Sequence, residues 1–141
     1  MPSTYQYTTV NASIEEVWNV IRPFHKLDWA PEVISSVEPI NSIQDGVVGA
    51  KRLVNGVFPE TLKEIDDECF LIRYSIEDGP SPISSQDVSE YMDTIQLRRT
   101  EQEGVTKIEW SSSWTADDDS AVEFAQGIYK AFLNALDQYF A

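Results

Sequence analysis

Two hydrophobic periods alternate along the chain, and the switches between them divide it. Residues 4–10, Thr-Tyr-Gln-Tyr-Thr-Thr-Val, are rich in β formers and read as a strand. Ile14, Val17, Trp18 and Ile21 then recur at helical spacing and predict one apolar helix face. Ser13 and Glu16 stand at capping-box spacing, where each satisfies an orphan amide of the other, with Ala12 and Val17 as the accompanying staple. Pro23 ends that helix. Residues Phe24 to Ser35 read as a second, shorter helical piece with Pro31 in its first turn, the two helices forming a V.

From Ser36 to about Ser113 the period is two, and six strands are predicted: Val37–Ile40, Gly49–Val54, Pro59–Ile65, Phe70–Ile76, Tyr91–Arg98 and Thr106–Trp114. The gaps are short, which implies antiparallel pairing, because parallel crossovers need about a dozen residues. Asn55-Gly56 favours a tight hairpin of the I′ type. The chain closes with a long helix from about Asp119 to Phe140, its N-terminus marked by three aspartates and by Ser120 and Glu123 at capping-box spacing. Its polar stripe is narrow, so most of its circumference needs cover, and it is long enough to cross a sheet. The expected fold is α+β: a seven-stranded curved antiparallel sheet wrapped around a long C-terminal helix, with two short helices between strands 1 and 2. No repeat or linker divides it, so residues 1–141 are expected to form a single domain.

Composition narrows the function. The formal net charge of −14 repels phosphate backbones, which argues against nucleic-acid binding. The start, Met1-Pro2-Ser3-Thr4, lacks the blocks of a signal peptide, and no apolar run reaches a membrane span, so no membrane insertion and a cytoplasmic location are expected. One histidine, His25, and one cysteine, Cys69, leave little for a thiolate or imidazole metal site, and no phosphate-cradling loop occurs; neither metal nor cofactor is expected. Cys69 precedes Phe70-Leu71-Ile72 and reads as a small buried hydrophobe, while His25 reads as solvated. Nothing in the sequence chooses between monomer and homodimer.

Five stretches carry a resemblance. They are Val10 to Trp18, Phe24-His25-Lys26-Leu27-Asp28-Trp29-Ala30-Pro31, Val48-Gly49-Ala50-Lys51-Arg52-Leu53, Glu60 to Asp66, and Arg73-Tyr74-Ser75-Ile76, joined by Tyr91 and Ile108-Glu109-Trp110. In this order they resemble the START-like (SRPBCC) superfamily of helix-grip proteins, in its polyketide cyclase/dehydrase branch. That superfamily includes lipid carriers, hormone receptors, cyclases and co-chaperones, so the resemblance implies a fold and leaves activity open. It also implies that Tyr74 points inward. By strand alternation Phe70, Ile72 and Ile76 then share its side; like arguments group Glu60 with Leu62 and Glu64, Tyr91 with Asp93, Ile95 and Leu97, and Ile108 with Trp110, Ser112 and Trp114.

The ligand-binding candidates are Trp29, Arg52, Glu60, Leu62, Tyr74, Tyr91, Trp110, Phe124, Ile128 and Phe132, an apolar wall with a few polar anchors. Arg52 is expected either to anchor a ligand oxygen or to pair internally with Glu60 or Glu64. Glu60, Arg52 and Tyr74 are the weak catalytic candidates. The loop Asp78 to Glu90 and the second helical piece are expected to gate the opening. Three functions stay open: a carrier or sensor of a small hydrophobic or aromatic molecule, a cyclase/dehydratase-like enzyme on an aromatic or polyketide-like substrate, and a co-chaperone-like interaction module.

Overall fold

A computed structural model describes the whole chain, Met1–Ala141. Strand β1 (Ser3–Val10) leads into α1 (Ile14–Ile21). Ser13 is the N-cap, its Oγ accepting the Glu16 amide at 3.2 Å. Ile14, Val17, Trp18 and Ile21 are all buried, so the face set by their spacing is the face that packs. Trp18 Nε1 also donates to Asp67 at 2.8 Å, which ties α1 to a distant turn of the sheet.

The remaining strands are β2 (Val37–Pro39), β3 (Lys51–Val54), β4 (Phe58–Asp66), β5 (Leu71–Ile76), β6 (Ser89–Arg99) and β7 (Thr106–Thr115), followed by α2 (Val122–Tyr139). Every expected strand is present with its ends within two residues. One seven-stranded antiparallel sheet forms in the order β1-β7-β6-β5-β4-β3-β2. The arrangement is that of the helix-grip fold. At Asn55 and Gly56 both φ angles are positive, 55° and 70°, and the Val57 amide donates to Val54 O across them, as a type I′ turn requires. Asn55 then uses its side chain to hold residues 33–36, accepting from the Ser35 and Ser36 amides and donating to Val33 O.

Register places the inner face. Leu62, Tyr74, Asp93, Ser112 and Thr4 are successive cross-strand partners over five strands, and all are buried. Beside them run Arg52, Glu60, Ile76 and Tyr91. Helix α2 buries Ala125, Tyr129, Leu133 and Leu136 and packs closest to β1, at one edge of the sheet. Each fully buried side chain of Leu or Phe size adds roughly 1.5–3 kcal/mol to this core.

Several expectations are corrected. Residues 24–35 form isolated turns and no second helix. Pro23 and Pro31 remove two donors, and the Asp45 carboxylate accepts the Phe24 and His25 amides, at 2.7 and 3.1 Å, tying the start of the segment to another loop. Helix α2 starts three residues later than expected, at Val122, with Ala121 as an N-cap that makes no side-chain bond; the Ser120 amide instead donates to Asp118. Glu64 leaves the inner face because a register shift between Leu62 and Glu64 absorbs Lys63, and Glu64 meets Arg73 outside at 3.4 Å. Cys69 is exposed, held in a turn by the Asp66 carboxylate, which accepts its amide. Phe70, with φ 56°, belongs to that turn and lies edge-on to Trp18. His25 is half-buried, its Nε2 3.1 Å from Lys51 O.

Candidate ligand-binding site

Because α2 leans toward β1, space remains between it and the inner face of β3 to β7. A cavity of about 520 Å³ fills that space, within the range of small-molecule sites. Phe124, Ile128 and Phe132, one turn apart along α2, form one wall. Val54, Phe58, Tyr74 and Trp110 face them from the sheet. Leu27, Val33 and Ile34 of the 24–35 segment border the cavity, although the segment is not helical. The Asp78–Glu90 loop contributes no lining residue; it buries Ile83, and Gly79 lies so close to the Phe58 ring that an added Cβ would approach it to 2.9 Å.

Seven of the ten expected binding residues line the cavity: Arg52, Glu60, Tyr74, Trp110, Phe124, Ile128 and Phe132. Three do not. Trp29 is buried behind the wall, its ring 5.9 Å from Phe132 and 6.4 Å from Trp110. Leu62 is fully buried in the sheet's core, and Tyr91 lies behind Tyr129, stacked on Trp114 at 5.0 Å.

Two polar groups interrupt the apolar lining. In the first, Arg52 Nε donates to Glu60 Oε1 at 2.7 Å and Nη1 to Phe24 O at 2.6 Å. Its guanidinium lies 3.9 Å from the Phe24 ring centre and 4.9 Å from that of Tyr74. Both partners are about as buried as the core, with 7% of each side chain exposed. Burial pushes the Glu60 carboxyl up, and the Arg52 charge and hydrogen bond pull it back. The internal pairing weighed for Arg52 is thus the one present, with Glu60 and not Glu64 as partner.

The second group is a hydroxyl chain ending on a carboxylate. Tyr129 Oη donates to Asp93 Oδ1 at 2.6 Å, and Tyr91 and Tyr129 hydroxyls lie 2.6 Å apart. With the Tyr129 proton committed to Asp93, Tyr91 is the donor to Tyr129. Asp93 is 0% exposed, and burial pushes its carboxyl up to about 7 against the opposing pull of the Tyr129 and Tyr74 hydroxyls. Burial and the nearby carboxylates hold the Tyr74 phenol well above its ordinary range. A carboxyl poised near neutrality can hold or release a proton at the cavity wall.

A family model described as polyketide cyclase/dehydrase and lipid transport matches residues 1–141, the entire chain. The chain belongs to this polyketide cyclase/dehydrase and lipid transport family. A protein of Nitrosospira multiformis is 36% identical to this family member, with 99% of this chain and 97% of that one covered and a TM-score of 0.97. The protein XoxI of Bacillus cereus is 29% identical over 99% and 96% of the two chains, with a TM-score of 0.82. An uncharacterised protein of Bacillus thuringiensis is 28% identical over 98% of each, with a TM-score of 0.80. No curated protein matches the chain. As in the sequence, no helix is long and apolar enough to cross a membrane.

Asp93 and Tyr129 are the polar site residues that the sequence reading passed over. Asp93 stood in the inward register of Tyr91, Ile95 and Leu97, where an acid among apolar neighbours is a signal by itself. Tyr129 is 1% exposed and faces the sheet, where it donates to Asp93.

Proposed function

We propose that this family member binds a small hydrophobic or aromatic molecule in the cavity between the sheet and α2, as a carrier or sensor. The observation that carries this reading is unfilled volume of about 520 Å³ behind mostly apolar walls, in a chain large enough to have packed it. Open volume also weighs against an interaction module with a solid interior. Native mass spectrometry of freshly purified protein tests the reading. A retained apolar small molecule is expected, and Ile128→Trp, which fills the cavity from α2, abolishes retention. Failure of the native protein to take up any apolar fluorophore would overturn it.

A cyclase- or dehydratase-like activity on an aromatic or polyketide-like substrate is the second reading, and Asp93 favours it. A buried carboxyl near neutrality, coupled to Tyr129 and beside Tyr74, has the proton affinity that general acid–base work needs. Under this reading Asp93→Asn abolishes turnover while a substrate analogue still binds. Turnover that survives the substitution would count against it.

A further inference from the structure

The cavity contains an unanswered demand for hydrogen bonds, and it is specific enough to indicate what ligand answers it. We propose that the ligand is a neutral aromatic molecule carrying a hydroxyl, placed so that this hydroxyl donates to Asp93 Oδ2 and accepts from Trp110 Nε1, and that the site excludes carboxylates. This inference rests on the cavity reading above and names the ligand class within it.

Four observations lead there. First, Asp93 lines the cavity, and its Oδ2 is buried without any hydrogen-bond partner, Oδ1 being occupied by Tyr129. Second, Trp110 also lines the cavity, and its buried Nε1–H has no partner either. The Tyr74 hydroxyl and the Trp110 indole are both near enough to favour the ionised form of Asp93, yet neither makes a hydrogen bond to Oδ2. Buried polar groups normally find partners, so a ligand that satisfies both recovers a loss the empty protein carries. A hydroxyl is one donor and one acceptor in a single atom. An ammonium would serve Asp93 and leave the indole unsatisfied; a carboxylate would serve the indole and either face Asp93 as a like charge or force it to take up a proton.

Third, the cavity offers no free cation. Arg52 is the one basic residue of the lining, and its charge is already matched by Glu60, with Nε donating to Glu60 and Nη1 to Phe24 O between two aromatic rings. An anion drawn to it would either share the guanidinium with Glu60, as a second buried negative charge, or leave Glu60 unpaired. The other ionisable carboxyls of the lining, Asp93 and Glu123, repel anions, and the net charge of −14 adds to that at long range. Fourth, the Trp110 ring is stacked on Phe132 at 5.0 Å with only 6° between planes. The faces of this stack cover each other, but both rings border the same cavity as the two unpartnered groups and give an aromatic ligand apolar contact.

Three ligands on one ring system test this with the native protein: naphthalene, 2-naphthol and 2-naphthoate, titrated at about pH 7.5, where the naphthol is neutral and the naphthoate ionised. The readout is the ¹⁵N–¹H spectrum, which resolves the indole N–H of Trp110. The naphthol is expected to bind about tenfold more tightly than either of the others, as one well-made hydrogen bond allows, and to shift the Trp110 indole proton. Asp93→Asn, which replaces the charged acceptor by an amide, is expected to erase most of the hydroxyl preference and to raise naphthoate affinity. Equal binding of naphthalene and naphthol would overturn the hydroxyl assignment and leave the cavity reading standing. Tightest binding by naphthoate would overturn it too, and would restore Arg52 as the anchor. Binding of none of the three would overturn both readings together. The native comparison decides the matter even if the variant does not fold.

Discussion

Asp93→Asn removes a specific part of the protein's pH dependence, and the burial of Asp93 sets its size. In the folded chain this carboxyl is pushed up to about 7 from an ordinary value of 3.8, because full burial disfavours the charge more than its hydrogen bonds favour it. An acid with a raised folded value binds its proton more tightly folded than unfolded. Its stabilising contribution is therefore complete below 3.8 and is lost as pH rises through about 7. At about 1.4 kcal/mol per unit the whole span is about 4 kcal/mol, and the part lost between about pH 5 and about pH 8 is about 2.5 kcal/mol. Urea unfolding followed by tryptophan fluorescence, run on native and Asp93→Asn proteins at both pH values, measures it. The new amide carries its own cost of about 1–3 kcal/mol if a hydrogen goes unpaired, but that cost does not depend on pH and cancels. Glu60 titrates in both proteins and largely cancels as well. The native protein is expected to lose about 2.5 kcal/mol relative to the variant on going to the higher pH. A gap between the two proteins that stays constant to within about 0.5 kcal/mol would refute the reasoning, because it would mean that Asp93 is solvated when ionised.

Two further substitutions test the walls. Arg52→Met leaves Glu60 buried without its partner and is expected to cost about 3–5 kcal/mol in thermal unfolding, while adding Glu60→Leu recovers at least half of that; a single-variant loss below about 1 kcal/mol would mean the pair is not desolvated. Gly127→Ala places a methyl on the cavity side of α2 where nothing lies within 4 Å, so it is expected to stabilise the helix by about 0.5–1 kcal/mol in the same assay and to weaken binding of a ligand that uses that space.

Much of the scaffold was legible from spacing alone. The Ile14, Val17, Trp18, Ile21 pattern located α1 and alternation located the six later strands, because each pattern records which face of a local element is apolar, while β-forming residues marked the first strand. That Arg52 needs an acid if it pairs internally was legible, because a buried charge demands a partner, but Glu60 and Glu64 were both open and the register chose Glu60. The misreadings have a common origin. Residues 24–35 are held partly by Asp45, which lies some twenty residues on and accepts the first two amides of the segment, a contact no local period announces. Glu64 changed sides through one absorbed residue that no period announces. Trp29 and Tyr91 are inward, as alternation and aromatic character suggest, but a second layer of side chains stands between them and the cavity.

The sequence by itself determined the seven strands, the first and last helices, their order, the antiparallel pairing and, Glu64 and Phe70 apart, which strand residues face inward, since these follow from interactions between near neighbours along the chain or across one turn. Only the tertiary structure decided that volume remains inside, and which polar atoms border it. That volume is a small difference between the space enclosed and the space filled, and it depends on α2 leaning toward β1 and away from β3 to β5. The rotation of α2 about its own axis carries Tyr129 to Asp93, 36 residues earlier in the chain, and leaves Phe124, Ile128 and Phe132 as the wall. No local pattern encodes that rotation, because it is settled only when every other side chain of the core has been placed.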